Sequence, residues 1–145
     1  MNELNSHFKG EITEQQVAIE FLKLGYLVSK PLVQSSRYDF IVDINNKLIR
    51  LQVKTSKLKE DGAYIEFATS SSHTNSQRTV NHSYTADEID YFATIHDNQC
   101  YIISVDLCGS RQQRLRITAP KNGNQRGSKF LKDYTIDKFL ETLLD

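Results

Sequence analysis

The stretch Arg37–Thr55, RYDFIVDINNKLIRLQVKT, decides the reading of this chain. Two β-rich runs flank Asn45-Asn46, and asparagine tolerates the positive φ that a two-residue type I′ turn demands. With the turn there, positions equidistant from it face each other. Asp39 then faces Gln52, and Lys54 lies further along on the same face. The other face carries Phe40, Val42, Ile44, Ile49, Leu51 and Val53, an apolar set suited to a core. The alternation that buries one side therefore gathers a carboxylate, an amide and an ammonium group on the other. Oxygen ligands beside a cation are the layout of metal-dependent phosphodiester hydrolysis. The plainer alternative is a solvated polar face carrying weak surface pairs.

The segment upstream shifts that balance. Lys9–Gly25, KGEITEQQVAIEFLKLG, has the pattern of an amphipathic helix closed by Gly25. Val17, Ala18, Phe21 and Leu24 follow helical spacing and form its buried stripe. Glu14 falls on that stripe, where a carboxylate is costly unless it is paired or holds a metal. A first-turn glutamate favoured by the helix dipole is the alternative for Glu14, and Glu11 belongs in solvent.

Helix-borne Glu14, then Asp39, then Gln52-Val53-Lys54, in the order helix, strand, strand, resembles the PD-(D/E)XK nuclease superfamily. A Lys9-Gly10 pair ahead of the helix glutamate is similar to archaeal Holliday junction resolvases. The RYD…QVKT wording, with Gln in the acidic slot and a later segment Asp87–Ala93, DEIDYFA, resembles the group I intron-encoded homing endonuclease branch. The resemblance is dense over residues 9–57, looser through 84–105 and faint in the tail. It implies an α/β, restriction-endonuclease-like core, with a mixed β-sheet flanked by helices. It also implies a site-specific endonuclease that hydrolyses double-stranded DNA and leaves a 5′-phosphate. The catalytic residues carried over are Glu14, Asp39, Gln52 and Lys54. Asp39, Gln52, the Val53 carbonyl and Glu14 would hold Mg²⁺, with Mn²⁺ able to substitute. Lys54 would position the attacking water or stabilise charge on phosphorus. Tyr38 stands in the slot that gives the family its Pro, a mild change. Gln52 replaces an acidic residue, and an amide oxygen brings no negative charge to a hard cation.

At 145 residues the chain is expected to form a single domain (1–145) with a core that needs no staples. It shows no apolar run long enough to span a membrane and no signal-peptide pattern, so a cytoplasmic location is expected, or an organelle for an organelle-encoded gene. Cys100 and Cys108 have no metal-type spacing, and His7, His73, His82 and His96 have none suggestive of zinc.

Net charge is zero, but the cations are unevenly placed. From Ser110 to Lys132 there are seven basic residues (Arg111, Arg114, Arg116, Lys121, Arg126, Lys129 and Lys132) and no acidic one. Such clustering can supply phosphate contacts in a neutral protein. Thr69–Ser83, TSSSHTNSQRTVNHS, is almost wholly polar and is expected as a loop. Its Asn75, Gln77, Arg78 and Asn81 are side-chain types that read base edges in the major groove, and a merely flexible surface loop is the competing reading.

Strands are expected at Ala63–Thr69, at Tyr91–His96 and Cys100–Asp106 around an Asp97-Asn98 turn, and at Leu115–Thr118. A final helix, Tyr134–Leu144, carries Ile136, Phe139, Leu140, Leu143 and Leu144 as its stripe. One site cuts one strand, so a double-strand break calls for a homo-oligomer, dimer or tetramer. Two other functions fit the same residues: a junction resolvase or restriction-type nuclease, and a DNA-binding protein with a degenerate site.

Overall fold

The computed structural model describes residues 4–74 and 76–144. Helix α1 (Ser6–Lys23) starts earlier than its apolar pattern suggests, because the Asn5 side chain accepts the N–H groups of His7 (3.1 Å) and Phe8 (3.2 Å). It ends where expected. Gly25 takes φ +84°, and the N–H groups of Gly25 and Tyr26 return to the carbonyls of Leu22 (3.0 Å) and Phe21 (3.1 Å). Leu24 does not join the buried stripe; it is the residue that caps α1, just past its last turn, and is 47% exposed.

Strands β1 (Leu27–Ser29), β2 (Phe40–Ile44) and β3 (Lys47–Val53) form an antiparallel set, the last two joined at Asn45 (φ 51°) and Asn46 (φ 67°). Their register, from Ile44 opposite Lys47 to Phe40 opposite Leu51, is the one the turn dictates. The chain then builds β4 (Lys57–Lys59), β5 (Tyr64–Ala68), β6 (Ser70–Thr74), β7 (Thr79–Ser83), β8 (Tyr91–His96), β9 (Gln99–Ser104), β10 (Gln112–Arg116) and α2 (Ile136–Thr142). Three sheets result, in the orders β1-β2-β3-β8-β9, β10-β5-β4 and β6-β7. The first is mixed, with β3 and β8 parallel. Arg50 fixes that junction: its backbone N–H, Nε and Nη2 donate to the Asp90 carboxylate (2.8–3.1 Å), Nη2 also reaches the Ala86 carbonyl, and Nη1 reaches that of Asp87.

The five-stranded sheet is covered on both sides. On one side Val17 and Phe21 of α1, Phe139 of α2 and Leu143 just after it pack on Phe40, Val42, Ile44, Ile49, Leu51 and Val53. On the other, Phe92 and Ile103 meet Ile65, Phe67 and Leu115 of the three-stranded sheet. The architecture is therefore mixed α/β. Leu144, expected on the α2 stripe, is 72% exposed because the helix has already ended. The polar stretch expected as a loop is instead the β6–β7 hairpin. It pairs through backbone while presenting polar side chains on both faces, so it lacks the apolar alternation that marks a strand. The last predicted strand also shifts, since β10 aligns Gln112 with Ala68 and Arg116 with Tyr64.

Phe21 is fully buried and meets Phe139 edge-on, with 6.3 Å between ring centres. Phe21→Ala is expected to cost about 3–5 kcal/mol, read as a lower urea midpoint at an unchanged slope. A loss under about 1 kcal/mol would mean that the helices do not close this core.

Candidate active site

Asp39 sits immediately before β2, one residue past the last regular pair with β3. Its N–H donates to the Leu51 carbonyl (2.8 Å), and its Oδ2 accepts the Val53 N–H (2.8 Å). The carboxylate thus takes the place of a backbone acceptor and bridges the ends of the two strands. Its Oδ1 has no protein donor among the described residues. Half-buried, the carboxyl is pushed from 3.8 up to about 6. Burial is the main cause, and the Val53 N–H opposes it; Glu14 raises the value further, while Lys54 and Lys30 pull it down.

Glu14, on the first half of α1, is held by Lys30 (3.3 Å) from the segment after β1. Gln52, on β3, makes a long contact from Nε2 to the Val53 carbonyl (3.4 Å), too stretched to be a strong hydrogen bond. Lys54 follows β3, its backbone N–H bonded to the Ala93 carbonyl (2.9 Å). Its ammonium lies 4.8 Å from the centre of the Tyr84 ring and makes no hydrogen bond or ion pair among the described residues. Burial holds its pKa below the usual lysine value, Asp39 acting against that and Arg37 with it.

Arg37 and Tyr84 are the neighbours that the sequence reading missed. Arg37 stacks on Tyr84 at 3.8 Å and pairs with Glu88 (2.7 Å). Alternation did carry one signal, since Arg37 precedes Asp39 by two positions. Tyr84 had none, because it arrives from the far side of the hairpin.

The candidate DNA contacts do not form one cluster. Asn75 lies outside the described residues. Gln77 and Arg78 lie in the β6–β7 connection, and Asn81 is exposed on β7 opposite Ser72. The Arg111 carbonyl accepts the Thr69 N–H (2.9 Å), which puts Arg111 at the hairpin's base. Arg114 is paired with Glu66 (2.8 Å) and lies over Tyr64, on the β10 face opposite buried Leu115. Arg116 donates to the Thr118 carbonyl (2.9 Å) and helps line a cavity of about 490 Å³ with Tyr101, Phe130 and Lys132. None of Glu14, Asp39, Gln52 and Lys54 lines it. Lys121 and Arg126 are exposed in the segment after β10, and Lys129 at its end is half-buried.

A family model described as PD-(D/E)XK endonuclease matches residues 4–137. The chain belongs to that family. Membership makes it one of a group of nucleases, hydrolases of phosphodiester bonds that generally use a divalent metal. The fold is similar to that of a bacterial homing endonuclease, I-Ssp6803I, with a TM-score of 0.78 over 97% of this chain and 95% of the other. At 23% identity that likeness is one of fold, a mixed α/β restriction-endonuclease-like architecture. Protein 5.3 of Escherichia phage T7 is 39% identical over 56 residues, which is 39% of this chain and 46% of that protein. The chain thus spans less than half the length of that relative in the match.

The donor set at Asp39 is compatible with a hard cation. Asp39 Oδ1, the Glu14 carboxylate, the Gln52 amide oxygen and the Val53 carbonyl are all oxygens. No three of His, Cys, Asp and Glu converge among the described residues, so the charge on offer is that of two carboxylates. The raised Asp39 pKa points the same way, because a carboxylate kept from water beside a second one is relieved by a positive charge.

Without metal, the same arrangement should cost stability. Between 3.8 and about 6 the folded state binds more protons at Asp39 than the unfolded state, so stability falls as pH rises through that window. Asp39→Asn keeps an acceptor for Val53 and removes the charge. In EDTA at pH 8 it is expected to be more stable than the parent by on the order of 1–3 kcal/mol, the difference closing as pH falls toward 4. Thermal melts across that range check this, and equal stability at pH 8 would contradict it.

Proposed function

We propose that this chain is a divalent-metal-dependent endonuclease that cuts double-stranded DNA at specific sites, in the manner of a homing enzyme. The observation that carries the reading is the Asp39 carboxylate, its Oδ1 without a donor, beside a Lys54 ammonium without an acceptor, both among the described residues. Asp39, Glu14, Gln52 and the Val53 carbonyl would hold Mg²⁺, with Mn²⁺ as a substitute. When bound, the ion supplies Lewis-acid stabilisation of the phosphate and a more acidic attacking water. Lys54 contributes a fixed positive charge where negative charge grows on the phosphate oxygens, and its partial removal from water strengthens that contribution. Glu14, steadied by Lys30 at 3.3 Å, would supply the second carboxylate of the set. The fold likeness to a homing endonuclease supports DNA as the substrate. Arg78, Asn81 and Arg111, on or at the base of the hairpin, supply groove and phosphate contacts. Cutting both strands calls for two copies of the chain facing opposite strands, in a dimer or a tetramer.

A second reading has an observation of its own. Gln52 leaves the site short of one negative charge, which favours a DNA-binding protein that no longer cuts. Incubation of a randomised duplex library and a synthetic four-way junction with Mg²⁺ separates the possibilities. Discrete cuts at one duplex sequence are expected, reduced by about 10²–10³-fold in Asp39→Ala and Lys54→Ala. Junction-selective cutting would move the enzyme to the resolvases, and binding without cutting in Mg²⁺ or Mn²⁺ would leave the second reading.

A further inference from the structure

All three nitrogens of the Arg37 guanidinium are engaged at the foot of the β6–β7 hairpin. Nε donates to Glu88 Oε2 (2.7 Å), Nη1 to the Ser71 hydroxyl (2.7 Å), and Nη2 to the carbonyls of His82 (3.3 Å) and Ser83 (3.1 Å). Its plane rests on Tyr84, which directly follows β7 and closes the hairpin's base by donating its N–H to Thr69 (3.3 Å). Phe92 of the core meets the same ring edge-on, with centres 5.5 Å apart. Lys54 lies against that ring as well, at 4.8 Å. One aromatic side chain therefore touches the cation that clasps the hairpin and the cation of the candidate active site.

Two physical points follow. Lys54 has a long, flexible stem, and among the described residues the Tyr84 ring is the group in contact with its ammonium, so the ring sets where that charge rests. An isolated two-stranded hairpin is marginal by itself. The orientation of β6–β7 is thus governed by its base: Arg37, Thr69 and the bond from the Ser83 hydroxyl to the Ser110 carbonyl (2.7 Å).

We propose that Tyr84 and Arg37 are positioning residues that couple the seating of DNA on the β6–β7 hairpin to the placement of the Lys54 ammonium. The inference rests on the endonuclease reading above and extends it to specificity: a duplex that fits the hairpin poorly leaves Lys54 misplaced and is bound but cut slowly. The ring is the operative part of Tyr84, and the fork of Arg37, which a lysine cannot reproduce, is the operative part of the clasp.

The test compares Tyr84→Leu, Tyr84→Phe and Arg37→Lys with the full-length parent. It uses single-turnover cutting at saturating target duplex, duplex affinity in Ca²⁺, and the NMR shift of the Lys54 ε-methylene protons. Tyr84→Leu is expected to lower the cutting rate by about 10-fold or more with affinity within about threefold, the signature of an interaction needed in the transition state. Tyr84→Phe recovers the rate. Arg37→Lys cuts slowly and narrows the gap in rate between the target and single-mismatch duplexes. The Lys54 resonance should be ring-shifted in the parent and in Tyr84→Phe, and should move when duplex is added. In Tyr84→Leu it should sit at an unshifted position.

Parental cutting by Tyr84→Leu would overturn the proposal. So would a Lys54 resonance that is indifferent to Tyr84 or to DNA, which remains readable in the parent if the leucine variant does not fold. A parent that binds duplex without cutting it would defeat the endonuclease reading alone, since the Lys54 resonance still reports the coupling.

Discussion

The hydrogen bond from the Val53 N–H to the Asp39 carboxylate, 2.8 Å long, joins the fold to the site. A regular antiparallel ladder would satisfy that N–H with a backbone carbonyl. Here the ladder stops at Phe40 opposite Leu51, and a side chain takes over. The substitution has three consequences. It pins Asp39 by one oxygen and leaves the other without a donor among the described residues, and it places Lys54 directly after the bonded residue. It also makes the register of β2 against β3 a condition of the proposed chemistry. A one-residue slip would put Phe40 on the polar face and Asp39 in the core, so the Asn45-Asn46 turn holds the proposed site together as much as the carboxylate does.

Electrostatics at this point oppose folding. A half-buried carboxylate near a second one, and an ammonium set against an aromatic ring rather than an acceptor, are each less comfortable than in water. The apolar packing of α1 and α2 on one side of the sheet and of β5 and β10 on the other supplies the stability that this arrangement consumes. Two titratable groups held partly out of water at the end of one hairpin distinguish this polar face from a fully solvated one.

The hairpin, its register and the core face of β2 and β3 were legible because they rest on local rules, a turn that accepts positive φ and a period of two. The second turn, at Asp97 (φ 49°) and Asn98 (φ 61°), was legible for the same reason. Glu14, Asp39, Gln52 and Lys54 could be named as a group through family resemblance and helix phase. The β6–β7 hairpin was not legible, since Ser, Thr, Asn and His on both of its faces erase the periodicity by which strands are found. Arg37 and Tyr84 were missed for a different reason. Their significance lies in contacts between segments distant in sequence, Arg37 reaching Ser71, Ser83 and Glu88, and no local pattern encodes such contacts. The basic run after Ser110 read as one patch, yet Arg114 is committed to Glu66 and Arg116 to a separate cavity. Charge in sequence order is a poor guide to charge in space.

The proposed role of Asp39 as a metal ligand is open to direct measurement by titrating Mn²⁺ into the protein and following the free ion by electron paramagnetic resonance. The parent should bind in a way that Mg²⁺ competes away, Gln52→Glu should bind more tightly because it restores a negative charge, and Asp39→Asn should lose the site. Binding by Asp39→Asn equal to that of the parent would contradict a metal site at the end of this hairpin.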